Sequence, residues 1–227
     1  MARRRFFAAA VENGAGFVPG AHLARVLRAQ PGQVYELAHQ GAVYLAEVTA
    51  VQADGVRFRI LESLAVPPPG PSLDLAVALF KFDRFEWMLE KATELGLSRL
   101  QPLTTRRTET RLAEAAPRRL ARWRAILHDA AEQSRRASLP EILAPQPLVA
   151  FLAAPLAARR LLLSELPGEP ALAPAQEATV LLAGPEGGFA PEEFAAASQA
   201  GFIAVSLGPR ILRCETAVLA ALARLAL

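Results

Sequence analysis

Five residues, Pro67-Pro68-Pro69-Gly70-Pro71, constrain this chain more than any others. Proline lacks a backbone donor and locks φ, so the run suits neither a helix interior nor a central strand and favours a stiff, extended link. It divides the 227 residues into a first part, 1–66, and a second, 72–227, with residues 67–71 as linker. Both parts are of ordinary domain size. A chain this long removes roughly 70% of its unfolded surface from water on folding and needs no staple of disulfide or metal. With 52% hydrophobic and 21% charged residues it is not a disordered chain. Its one cysteine, Cys214, excludes a disulfide framework and a multi-cysteine zinc site, and suggests a reducing, intracellular setting. His22, His39 and His128 match no metal-ligand spacing, so no metal is expected.

No membrane span is expected. The longest apolar run, Thr216 to Leu227, is short, contains Arg224 and reads as a buried terminal helix. Arg3-Arg4-Arg5 followed by Phe6 to Val11 imitates a signal peptide, but the apolar stretch stops at Glu12 and Asn13.

The first part reads as mostly β. Val56, Phe58 and Ile60 alternate with Arg57 and Arg59, the period of a strand with a basic outer face. Asp54-Gly55 signals a hairpin before it. Val43 to Val51 and Gln33 to Ala38 read as two more strands, and His22 to Arg28 as a short helix. A small barrel satisfies several short strands. The second part alternates: strands at 73–79, 97–103, 161–163, 179–183 and 202–207, with helices at 83–95, 118–136 and 191–200. In the first of these helices Phe85, Met88, Leu89, Ala92 and Leu95 share a face. Such alternation predicts an α/β domain with a largely parallel sheet.

Net charge is only +3, but it is unevenly spread. Residues 1–66 carry seven arginines against five acids, and residues 104–136 carry nine against four. Of the 25 basic residues 23 are arginine, whose forked guanidinium suits phosphate. Nucleic acid binding and a merely solvated basic face both fit this pattern.

There is no Gly-x-Gly-x-x-Gly after a strand and no Walker loop. Two other loops stand out. Gly184-Pro185-Glu186-Gly187-Gly188-Phe189 comes after one expected strand, and Gly208-Pro209-Arg210-Ile211-Leu212-Arg213-Cys214-Glu215-Thr216-Ala217 after another. In open α/β sheets, ligands bind at the carboxyl ends of strands. Glycine lets the backbone come close to a ligand, and proline stiffens the loop.

Together these loops resemble the 16S ribosomal RNA uracil-N3 methyltransferase family of the SPOUT superfamily. Lys91-Ala92-Thr93-Glu94-Leu95-Gly96 with Pro102 and Arg107, Glu132-Gln133-Ser134 through Arg136 with Pro140-Glu141-Ile142, and Arg5-Phe6-Phe7 with His22-Leu23 and Val26-Leu27-Arg28 extend the likeness over nearly the whole chain. The resemblance implies a SPOUT-type carboxyl-terminal α/β domain with a deep trefoil knot and a mostly parallel sheet, and a small amino-terminal PUA-like β-barrel that grips RNA. It implies S-adenosylmethionine as cofactor, a cytoplasmic homodimer and, as substrate, base N3 of uridine 1498 in 16S rRNA of the small ribosomal subunit. The cofactor would be lined by Leu163, Ser164 and Glu165, by Ala183, Gly184, Pro185, Glu186, Gly187 and Gly188, and by Ser206, Leu207, Gly208, Ile211, Leu212 and Ala217. Cys214 stands where the family commonly has Thr and reads as a small buried filler.

Uracil N3 carries an imide proton and is a poor nucleophile until that proton leaves. Glu215 is the candidate base; the competing reading is that it caps the last helix or pairs with Arg213. Arg213 and Arg210 would neutralise charge on the uracil oxygens or grip phosphate. Arg3, Arg4, Arg5, Arg57, Arg59 and Arg107 are expected RNA contacts, with Gln133 and Arg136 contributing from a partner subunit. Three alternatives stay open: another SPOUT RNA methyltransferase acting on ribose 2′-oxygen or a tRNA base, a non-catalytic rRNA-binding assembly factor, and an arginine-rich structural module of the ribosome surface.

Overall fold

The computed structural model describes residues 4–20, 29–156 and 159–226. Arg3 and the helix expected over His22 to Arg28 lie outside the described residues. The chain forms two compact units, Met1–Pro68 with Ala131–Leu139, and Pro69–Ala130 with Pro140–Leu227.

The first unit is a six-stranded sheet of β1 (Arg5–Phe7), β2 (Ala10–Glu12), β3 (Ala15–Pro19), β4 (Val34–His39), β5 (Ala42–Val51) and β6 (Gly55–Leu64). Their spatial order is β1-β4-β5-β6-β3-β2. The chain bends after β1: Ala8 N–H donates to Ala38 of β4 and Ala9 N–H to Phe17 of β3, both at 2.9 Å. Two consecutive residues thus bond the strands next to each end of the order, and the sheet curls as a half-barrel. Val56 and Phe58 are buried while Arg57 and Arg59 are exposed, as the alternation requires. Phe6, Val18, Leu37 and Val48 complete the core. The strands β1 to β3 lie where a leader-like stretch obscured them; Asn13-Gly14 between β2 and β3 is a hairpin dipeptide.

Residues 131–139 join this unit although the linker places them in the second part. Glu132 Oε1 accepts from Phe7 N–H at 3.1 Å, and Glu36 binds both Arg5 (2.8 Å) and Arg135 (2.5 Å). Burial raises the Glu36 carboxyl, but hydrogen bonds and charge from Arg135 and Arg5 outweigh it and hold the group below its ordinary pKa.

The second unit contains β7 (Leu73–Ala78), β8 (Arg99–Thr104), β9 (Glu141–Ile142), β10 (Gln146–Pro147), β11 (Arg159–Leu163), β12 (Thr179–Ala183) and β13 (Ile203–Val205). Its helices are α1 (Phe82–Glu94), α2 (Thr110–Gln133, whose last turn belongs to the first unit), α3 (Leu148–Ala153), α4 (Pro191–Gln199) and α5 (Cys214–Ala226). The sheet order is β10-β8-β7-β12-β11-β13, with β9 beside β8, and every ladder is parallel. Every residue of β7 and β12 is buried, because helices cover both faces of these central strands. One face packs Phe80, Phe85, Met88 and Trp123; the other packs Phe151, Leu182 and Phe202.

The helix expected from Arg118 starts eight residues earlier and runs through Pro117. Leu112 and Ala116 are buried on the face that also carries Trp123 and Leu127, and that burial outweighs one missing helical hydrogen bond.

Because β11, β12 and β13 are parallel, their carboxyl ends meet along one edge. The long loop after β11 is laced to the turn after β13 and to the last helix: Ser206 N–H donates to Pro170 at 2.9 Å, Leu172 N–H to Ser206 at 3.0 Å, and Ala175 N–H to Leu225 of α5 at 3.0 Å. This lacing belongs to the threaded carboxyl-terminal arrangement that the resemblance implies.

Candidate active site

Three loops, leaving β11, β12 and β13, enclose a cavity of about 730 Å³, within the range of small-molecule sites. Leu163, Ser164 and Glu165 line it from the first loop, Ala183, Gly184, Pro185, Glu186, Gly187 and Gly188 from the second, and Leu207, Gly208, Ile211, Leu212 and Ala217 from the third. Ser206 is the one expected lining residue set back from it; its Oγ accepts from Gly208 N–H at 3.1 Å and shapes the third turn. The cavity also takes in Leu166, Phe189, Pro191, Phe194 and Cys214, which the sequence reading did not assign to it.

The turns owe their shape to glycine. Gly188 (φ +69°) and Gly208 (φ +110°) occupy the left-handed region that side chains disfavour. Gly188 N–H closes the second turn on Pro185 O at 2.8 Å. The Cys214 thiol donates to Gly184 O at 3.1 Å and ties the second loop to the start of α5.

A further loop, Thr105 to Thr108, is strapped to this edge. Glu193, in the first turn of α4, accepts from its own N-cap Ala190 N–H at 2.9 Å and from Arg106 N–H at 2.7 Å. Arg106 also pairs with Glu192, and Arg107 donates to the Gly187 carbonyl. Arg107, read from sequence as an RNA contact, therefore forms part of the cavity wall.

Glu215 is buried at the start of α5 and lines neither this cavity nor its neighbour. Its Oε1 lies 3.8 Å from Arg84 Nε, not beside Arg213, and its Oε2 is buried without a hydrogen-bond partner among the described residues. Arg210 and Arg213 are exposed on the cavity wall with no carboxylate partner among the described residues. The remaining expected RNA contacts belong to the first unit, with Arg4 exposed and Arg5 committed to Glu36. Arg57 bonds Gln52 at 2.7 Å, and Arg59 pairs with Glu47 at 2.5 Å. Gln133 is exposed at the end of α2; Arg136 is half-buried, and burial lowers its pKa.

Residues 68–226 match the RNA methyltransferase domain family. Ribosomal RNA small subunit methyltransferase E of Mycobacterium bovis is 36% identical over 220 residues, spanning 89% of this chain and 81% of the relative. The chain belongs to the ribosomal RNA small subunit methyltransferase E family. A member from Synechocystis is 38% identical over 217 residues, covering 90% of this chain and 69% of its own length. The crystal structure of a Neisseria gonorrhoeae member bound to S-adenosyl methionine superposes with a TM-score of 0.87 at 31% identity, covering 97% of this chain and 95% of that one. The α/β unit is thus of the SPOUT type that family members share. No helix among the described residues is long and apolar enough to cross a membrane, and they hold no group of three His, Cys, Asp or Glu placed to bind a metal ion.

Proposed function

We propose that the protein transfers a methyl group from S-adenosylmethionine to N3 of uridine 1498 in 16S rRNA, acting in the cytoplasm as a homodimer. One observation carries this reading: three loops at the carboxyl ends of adjacent parallel strands converge on one cavity, two of them built on left-handed glycines. The residues fit that donor. Leu163, Leu207, Ile211 and Leu212 offer apolar surface to an adenine ring, the glycine turns offer close backbone groups, and Glu165 and Glu186 offer carboxylates to a cationic ligand. When bound, the donor supplies an electrophilic methyl carbon on a positive sulfur.

The chain's own work is to bind, orient and deprotonate. Arg210 and Arg213 project from the cavity wall with their charge uncommitted, ready for phosphate or for the oxygens of a uracil anion. Glu215 is the proposed proton acceptor, acting through a water relay because it lines neither cavity: one oxygen is unpartnered, and the other faces the Arg84 guanidinium, which would steady its charge. The base must leave its stack to reach the cavity. The dimer and the partner-borne roles of Gln133 and Arg136 rest on the family resemblance.

Incubation with labelled donor and small subunits lacking the modification tests this directly. Mass analysis of the nucleosides is expected to give 3-methyluridine at one position; label on a ribose or on tRNA would replace the reading with another methyl acceptor. Glu215→Gln is expected to slow transfer about 10²–10⁴-fold while donor and RNA affinity hold. Undiminished transfer across pH would remove Glu215 from the role.

A further inference from the structure

A second cavity, of about 400 Å³, opens beside the first and shares Arg107, Glu186 and Gly187 with it. The two volumes are neighbours across a wall three residues wide. Leu79 and Leu112 give the smaller one an apolar side, and Lys81 and Arg84 give it a cationic side. Glu109 and Glu186 also border it, so three cations stand against two carboxylates.

Two groups there have spare capacity. Lys81 is the N-cap of α1, at the positive end of that helix, and its ammonium has no carboxylate partner among the described residues. The Arg84 guanidinium forms no hydrogen bond among the described residues; its one ionic neighbour is Glu215, at 3.8 Å, too far for a hydrogen bond. Behind it, Glu215 keeps a buried oxygen without a partner. The Arg84 guanidinium on the cavity wall presents donors only. A uracil carbonyl accepts from it, whereas the amino group at the same ring position of cytosine sets donor against donor.

We propose that this second cavity holds the acceptor nucleotide, with Lys81 on its phosphodiester and Arg84 on a carbonyl of its uracil ring. The inference rests on the methyltransferase reading of the larger cavity and extends it to the substrate's own subsite. Arg84 is then the residue that tells uracil from cytosine, and Arg107, bonded to Gly187, forms the partition between acceptor and donor.

The test begins with wild-type protein and small subunits, to locate the methylated uridine. A transcript spanning it, and the same transcript with cytidine at that position, are then titrated against protein saturated with S-adenosylhomocysteine, so that binding is read without turnover. Wild type is expected to prefer the uridine transcript about tenfold. Arg84→Ala is expected to bind both transcripts equally, and Arg84→Lys, which keeps charge but not the fork, to retain affinity and lose most of the preference. Lys81→Ala is expected to weaken both transcripts alike. The calorimetric affinity for S-adenosylhomocysteine stays within twofold in each variant. If wild type methylates no uridine, the functional reading fails. If wild type methylates one but both arginine variants keep its preference, or Lys81→Ala keeps its affinity, the subsite assignment is wrong. A collapse of S-adenosylhomocysteine binding in these variants overturns it too, since the cavity would then serve the donor.

Discussion

Cys214 is the only thiol in the chain, and it sits where two loops of the larger cavity meet. Burial pushes its pKa well above the ordinary thiol value, and the charges of Glu186 and Glu215 push it further. The group therefore stays protonated through neutral pH and remains a donor to Gly184 O. Its sequence reading as filler accounts for its size but not for this contact, because nothing in the order of residues shows that the carbonyl of Gly184 arrives 3.1 Å away. Cys214→Ala is expected to release the tie and weaken donor-product binding several-fold, while Cys214→Ser, which keeps a donor, stays close to wild type. Calorimetry with S-adenosylhomocysteine checks both. Equal affinity in the alanine variant would reduce Cys214 to packing alone.

At the scale of elements, α2 shows where local rules and tertiary packing disagree. Pro117 lies in its interior, exposed, and cannot donate to the carbonyl four residues earlier. Proline there costs up to about 3 kcal/mol against alanine. Pro117→Ala is expected to stabilise the protein by about 1 kcal/mol or more, the shortfall reflecting a helix already adapted to the ring. A thermal melt should rise by roughly 2–4 °C per kcal/mol. A lower midpoint would show that the proline's effect on the unfolded chain dominates. The same conflict explains what was legible. The three-and-four spacing of Leu120, Trp123 and Leu127 reveals the helix, whereas its first two turns are hidden by the proline and revealed only by the burial of Leu112 and Ala116. The parallel sheet could be read from alternation, and the cavity loops from glycine and proline after apolar strands. Sheet order could not, since β7 beside β12 is a pairing between strands about a hundred residues apart. Lys81 and Arg84 carried no motif; they matter because α1 begins beside the loop after β12.

For the whole molecule the arginine count misleads unless each partner is counted too. Arg59 faces Glu47 at 2.5 Å, Arg57 faces Asp54 at 3.4 Å, Arg119 and Arg122 share Glu86, and Arg5 and Arg135 share Glu36. A phosphate approaching any of these must compete with a carboxylate already in place, so it releases fewer counterions per arginine than at a bare cation. Arg210 and Arg213, exposed and without such a partner among the described residues, are bare in this sense. Salt dependence of RNA affinity separates the two classes, because each neutralised phosphate adds about 0.7 to the slope for single-stranded RNA. With the donor cavity saturated by S-adenosylhomocysteine, Arg210→Gln combined with Arg213→Gln is expected to lower the slope by about 0.7 per residue that meets phosphate. Glu47→Gln combined with Arg59→Gln removes an ion pair at constant net charge and is expected to leave the slope unchanged. The reverse outcome, a flat response at Arg210 and Arg213 with a shallower slope from the paired removal, would move the RNA contact to the exposed face of β6.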